Sequence, residues 1–144
     1  MAALNPRIHD VPDDPLAAID FCYEQGWTDG LPVIPPQVDR VKQMLAADDR
    51  PPETVIAHHP ATGLDLSLHS AAVNSVMAGC LPEHFPVVVA AFEAMNKPDF
   101  NFHGSTASTG GSAPLLVVSE PRATLSTLVA SLLPAHPVID RALR

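Results

Sequence analysis

Cys80 ends an apolar stretch, Ala71-Ala72-Val73-Asn74-Ser75-Val76-Met77-Ala78-Gly79-Cys80, and a helix-start signal follows at once, Leu81-Pro82-Glu83-His84-Phe85-Pro86. A thiol becomes nucleophilic or redox-active as the thiolate, a form that helix N-termini and nearby cations favour. Downstream lies a run of small polar residues, His103-Gly104-Ser105-Thr106-Ala107-Ser108-Thr109-Gly110-Gly111-Ser112. His103 opens this run and has the chemistry of a proton shuttle. Backbone N–H groups freed by Gly104, with the hydroxyls of Ser105, Thr106, Ser108 and Thr109, suit a carboxylate or phosphate. The spacing matches neither a P-loop nor a dinucleotide-binding fingerprint. The chemistry expected of this set is thiol redox or nucleophilic attack on a small polar or anionic metabolite. Cys80 and His103 would be catalytic, and Asn74, Gly104, Ser105, Thr106, Thr109 and Asp29 would bind substrate.

Each of these residues also has a plainer reading. Cys80 can be a small buried hydrophobe that packs Gly79 against a neighbouring helix. The Ser/Thr/Gly run can be an ordinary connection, although long plain loops are uncommon in compact domains. Asn74 sits inside an apolar helix, so its amide must be hydrogen-bonded, either bracing a neighbour or reaching a ligand. Asp29 before Gly30 is a standard turn pair as well as a candidate carboxylate. Trp27 suits the edge of a core or a partner surface, and Cys22 beside Phe21 reads as core. His58, His59, His69, His84 and His103 raise the question of a metal. No C-x-x-C, H-x-x-x-H or H-E-x-x-H spacing occurs, and adjacent His58 and His59 in a strand face opposite ways. No cofactor is therefore expected; a metal stays open but unsupported by spacing.

The elements that must carry these residues follow from local signals. Met1 to Pro12 reads as an extended arm, residues 13–121 as an α/β core domain, and residues 122–144 as a helical tail. Asp13-Asp14 before Pro15 predicts a helix start, and Gly26 its stop. Leu31 to Ile34, bounded by prolines, is expected to be extended, as an edge strand. Val38, Val41, Met44 and Leu45 recur at helical spacing, so Gln37 to Ala47 is expected to be an amphipathic helix. Thr54 to Ala57 reads as a strand running into His58-His59, and Thr62-Gly63 as a turn. Leu66, Leu68, Ala71, Ala72, Val73, Val76 and Met77 predict a third helix. Pro86 to Met95 predicts a fourth that is nearly all apolar and central. Phe100 to His103 reads as a short strand, Pro114 to Ser119 as a buried one, and Thr124 to Leu133 as a helix. Short strands alternating with helices predict a single layer-packed α/β domain.

Composition bounds the partners. The chain has 144 residues, 47% of them hydrophobic and only 17% charged. It is long enough to bury a core of its own, and apolar enough to cover further surface with a partner. Eight Lys and Arg stand against sixteen Asp and Glu, a formal net charge of −8. That balance disfavours nucleic acid and anionic membranes, which need clustered cations. No apolar run reaches the length of a membrane span, and no signal peptide is evident at Met1 to Asp14, so a cytoplasmic location is expected. There the two cysteines would stay reduced. A small-molecule substrate is expected, with a second protein subunit or further copies of the chain.

Several stretches resemble a bacterial protein family found beside the selenoprotein-like UGSC proteins. They are Gly26-Trp27-Thr28-Asp29-Gly30-Leu31-Pro32-Val33-Ile34-Pro35-Pro36, Val73-Asn74-Ser75-Val76-Met77-Ala78-Gly79-Cys80 with Pro82-Glu83, Pro86-Val87-Val88, Phe102-His103-Gly104, and Ala113-Pro114-Leu115-Leu116-Val117-Val118. The UGSC proteins in turn look related to thiol- and selenol-using reductase subunits of amino-acid fermentation. The resemblance implies cysteine-associated enzyme chemistry in a multi-subunit setting. Members of that family are longer and continue beyond the Leu-Leu-Val-Val strand with a Gly/Asn-rich segment, whereas Arg122 to Arg144 here is rich in Ala, Leu and Ser. The expectation is a shortened copy, or one with an aberrant last stretch.

The expectation from the sequence is thus an enzyme or enzyme subunit working through Cys80, of oxidoreductase-like or lyase-like type. A non-catalytic partner subunit or fragment of a larger enzyme is the alternative, and a metal-binding module a third.

Overall fold

The computed structural model describes residues 7–11, 13–59 and 62–101, with the single positions 104 and 116. Within them, four helices and a two-stranded antiparallel hairpin pack into a small mixed α/β domain. The helices are α1 (Pro15–Glu24), α2 (Val38–Leu45), α3 (Leu68–Met77) and α4 (Phe85–Met95). The strands are β1 (Val55–His59) and β2 (Leu64–Ser67). No helix among the described residues is long and apolar enough to cross a membrane.

Local chemistry sets the helix ends. The Asp14 carboxylate accepts the Ala17 N–H at 3.0 Å, and Pro15 occupies the first turn of α1, where its missing N–H costs nothing. Helix α1 stops in a Schellman motif: Gly26 takes φ +69°, its N–H donates to the Tyr23 carbonyl, and Trp27 N–H donates to the Cys22 carbonyl. Helix α3 stops the same way. Gly79 takes φ +82°, with Gly79 N–H to Val76 O and Cys80 N–H to Ser75 O, both 2.9 Å.

Three expectations need correction. Leu66 belongs to β2, not to the helix that follows it. Ser67 caps α3 by accepting the Ser70 N–H at 3.1 Å, so the helix starts at Leu68. Before it the chain pairs with β1 in the register His59↔Leu64, His58↔Asp65, Ala57↔Leu66 and Val55↔Ser67. Phe100, expected in a strand, ends a 3₁₀ turn (Pro98–Phe100), and Asn101 leaves that turn with φ +50°. Pro98 presets the turn through its fixed φ. Leu31 to Ile34 forms no ladder. It is anchored by the Ile34 N–H on the Met77 carbonyl at 3.1 Å and by the burial of Val33. The expected strand Pro114–Ser119 and helix Thr124–Leu133 fall outside the described residues, apart from Leu116, which is half-buried.

The core forms where α2, β1, α3 and α4 meet. Met44, Ile56, Leu68, Ala72, Phe85 and Phe92 are among its buried side chains. Burial of each large apolar side chain contributes roughly 1.5–3 kcal/mol. A second, smaller cluster joins Cys22 of α1 to Val33 and Met77, and Val73 touches both clusters. Through it α1 and the Gly26–Ile34 corner rest on the end of α3, next to Cys80.

Candidate functional site

Cys80 follows the last turn of α3, held by its N–H on the Ser75 carbonyl. Its neighbour Leu81 is held by His84: Leu81 N–H donates to His84 Nδ1 at 3.1 Å, and His84 N–H donates back to the Leu81 carbonyl at 2.9 Å. The peptide around Cys80 is therefore clamped between α3 and the 3₁₀ turn Pro82–His84 that leads into α4. Because Nδ1 accepts, neutral His84 carries its proton on Nε2. His84 is only 1% exposed.

The Cys80 side chain is half-buried and packs on the main core. Burial pushes its thiol up from the ordinary value, since desolvation disfavours the thiolate. This is the opposite of what an activated nucleophile needs. Along the chain the 3₁₀ turn Pro82–His84 separates Cys80 from the start of α4, and desolvation is the cause of the shift. Cys22 is buried in the smaller cluster, and burial likewise raises its thiol, as expected of a core residue.

The other sequence candidates are dispersed. Asn74 lies half-buried on α3, and its Nδ2 donates to the Ser70 carbonyl of its own helix at 2.8 Å. Its amide nitrogen is thus engaged along its own helix. Asp29 sits in the exposed corner after Trp27, where its Oδ1 accepts the Leu31 N–H at 3.4 Å. Gly104 has helical backbone, and a Cβ there would lie 2.5 Å from Asn101 Nδ2, so the Asn101 side chain occupies the space an alanine would need. His103, Ser105, Thr106, Ser108 and Thr109 lie outside the described residues.

Three polar residues were not singled out as site residues from sequence. Thr28 is buried, and its hydroxyl donates to the Leu31 carbonyl at 2.7 Å while accepting the Gly30 N–H at 3.3 Å. It closes the corner that Asp29 decorates. His84, weighed in the sequence only as a neighbour of Cys80 and among the histidines that raise the question of a metal, is the buried cap just described. Its position three residues after Leu81 was the available signal, because that is where a side chain can reach back to the preceding N–H. Asp65 pairs directly across the hairpin with His58, Nδ1 to Oδ1 at 2.6 Å, on an exposed face. His59, on the other side of the strand, bonds Thr62 through its own Nδ1 at 2.9 Å. Among the described residues, no group of three or more His, Cys, Asp and Glu side chains is arranged to hold a metal ion.

Around this region the surface is apolar. Leu81 is 50% exposed, Ile34 38%, Leu31 46% and Tyr23 60%. Ile34 Cδ1 lies 3.6 Å from where a Cβ on Gly79 would stand, and Tyr23 lies against Gly30. Comparison with known proteins adds no relative: no family model, no curated protein and no solved structure matches this chain.

Proposed function

We propose that this chain is a non-catalytic partner subunit, packing its apolar Ile34–Leu81 surface against another polypeptide. The observation that carries this reading is the state of Cys80. Its thiol lies on the core, desolvation favours its neutral form, and the peptide around it is clamped for rigidity. That environment suits a packing residue. The large apolar side chains left exposed on the same corner fit a surface that a partner completes. The resemblance to UGSC-associated proteins supports the same multi-subunit setting.

The test is thiol labelling of the folded chain at mildly acidic pH, with mass-spectrometric assignment of the modified residue. Labelling of Cys80 only after unfolding is expected. Rapid, selective labelling of Cys80 in the folded protein would overturn the reading.

One observation favours a second reading, an enzyme subunit acting through Cys80 on a small polar metabolite. The side chain is half-buried rather than sealed, so a small reagent has a partial approach. In that reading His103 moves the proton and the Ser105–Thr109 run holds an anionic group. Replacing Cys80 with Ser and measuring turnover of thiol or amino-acid substrates tests it; unchanged turnover removes the thiol from the chemistry.

A further inference from the structure

Helix α1 has more apolar surface than its described neighbours cover. Cys22 packs with Val33 and Met77. Phe21 meets the ring of His9 at a centroid distance of 5.3 Å and that of Trp27 at 5.8 Å, and His9 lies 5.8 Å from Trp27. Leu16, Ile19 and Tyr23 recur at i, i+3 and i+7 and so share another side of the helix. Leu16 is 70% exposed and Tyr23 60%, while Ile19 is half-buried. Asp20 and Glu24, four residues apart and both exposed, lie along the edge of this stripe. No ion pair among the described residues engages either carboxylate. Between Arg7 and Arg40 the chain holds no Lys or Arg that could do so locally. An uncovered apolar stripe edged by carboxylates fits an occupant that is itself apolar and cationic.

The end of the same chain has that chemistry. Residues 122–144 hold Arg122, Arg141 and Arg144 against a single carboxylate, Asp140, whereas the 121 residues before them hold five Lys and Arg against fifteen Asp and Glu. Leu125, Leu128, Val129, Leu132 and Leu133 repeat at the spacing of an amphipathic helix, and Arg122 falls three residues before the first of them. We propose that the outer face of α1 is the docking site of this C-terminal segment in cis, with its Leu/Val stripe on Leu16, Ile19 and Tyr23 and its arginines towards Asp20 and Glu24. Anchors at i, i+3, i+4 and i+7 are the pattern by which one amphipathic helix seats on an apolar face. The tether decides between the chain's own segment and a second copy's, because it holds the segment at an effective concentration in the millimolar range. The docking stands on α1 and is independent of the partner taken by the Ile34–Leu81 surface.

A helix as short as Thr124–Leu133 is marginal by itself in water, so slowed amide exchange there reports docking. Hydrogen exchange of the full chain, read by mass spectrometry, should be compared in the wild type, Leu16→Ser/Tyr23→Ser, Asp20→Lys/Glu24→Lys, and Asp49→Lys/Glu53→Lys, which makes the same charge change away from α1. Peptides from α3 and α4 monitor the fold in each. Protection over residues 124–133 is expected in the wild type, at a level that does not change with protein concentration. It should fall at least about tenfold in the serine variant and about two- to tenfold in the α1 lysine variant, and stay at the wild-type level in the control. An unprotected segment in the wild type overturns the proposal. So does protection that grows with protein concentration, which assigns the site to a second copy, or an equal loss in the two lysine variants, which reduces the effect to net charge. Should the serine variant lose protection in α3 and α4 as well, the two lysine variants decide alone.

Discussion

Leu81 and His84 are joined twice, by Leu81 N–H to His84 Nδ1 at 3.1 Å and by His84 N–H to the Leu81 carbonyl at 2.9 Å. The two bonds make a closed corner in which a fully buried imidazole satisfies a backbone donor and an exposed leucine is presented to solvent. They also carry the chain from α3 into α4 without an unpaired N–H at Leu81, which would cost about 1–3 kcal/mol if left buried.

His84→Ala removes both the acceptor and the ring that fills the space beneath the corner. A loss of about 2–4 kcal/mol is expected, read as a lower urea midpoint. His84→Asn, whose side-chain oxygen can replace Nδ1 as acceptor, should recover part of it. Equal losses in the two variants would mean that the hydrogen bond contributes nothing beyond volume.

Gly79→Ala should destabilise by about 1–2 kcal/mol, the cost of a Cβ in the left-handed region. The cause is the backbone, since a Cβ would meet only Ile34 Cδ1 at an ordinary 3.6 Å while φ is +82°. Gly79→Asn should lose less, because asparagine tolerates this conformation better. Thermal melts of the two variants decide it. An alanine variant as stable as the wild type would show that the Schellman stop does not need glycine.

Burial raises the Cys80 thiol in the folded chain. The stability tied to that shift is present below the thiol's unfolded value, about 8.5. It is lost as pH rises from there through the folded value, because the unfolded chain ionises first. The urea midpoint of the wild type is therefore expected to drop further between neutral and strongly alkaline pH than that of Cys80→Ala. Both proteins retain Cys22, so the difference reports Cys80. Identical drops would show that this thiol is not desolvated.

Arg50 binds the Asp48 carboxylate through Nε at 2.9 Å and a second nitrogen at 2.8 Å, and reaches Glu93 of α4 at 2.6 Å. Its side-chain hydrogen bonds hold the Asp48 carboxyl below its ordinary value. A lowered carboxyl stabilises above its unfolded value and loses that contribution as pH falls through the folded one. Arg50→Met should therefore lower the urea midpoint slightly at neutral pH and leave it close to wild type in strong acid. The effect is small because the group is solvated. A deficit of equal size at both pH values would point to lost packing of the Arg50 stem instead.

Short-range signals in the chain already specified the ends and faces of most helices. Asp14-Pro15 and Gly26 bracket α1 because capping and positive-φ preferences act over three or four residues. The spacing of Val41, Met44 and Leu45 marks the core-facing side of α2, whereas Val38, which fits the same spacing, is left exposed, and the apolar run from Pro86 to Met95 marks α4 as central. Local patterning could not separate β2 from α3. Leu66 and Leu68 fit both a period of two and the flank of a helix, and only pairing with β1, with Ser67 as cap, divides them.

The environment of Cys80 was decided by tertiary packing. A thiol's charge state depends on the solvent and cations around it, which residues distant in sequence supply, and here the core supplies apolar atoms. The clamp by His84, the Ile34 side chain over Gly79 and the contact of His9 with Trp27 have the same origin. Each joins separate elements whose relative placement follows from burying α3 and α4 together, and that energy is a property of the assembled core rather than of any stretch of the chain.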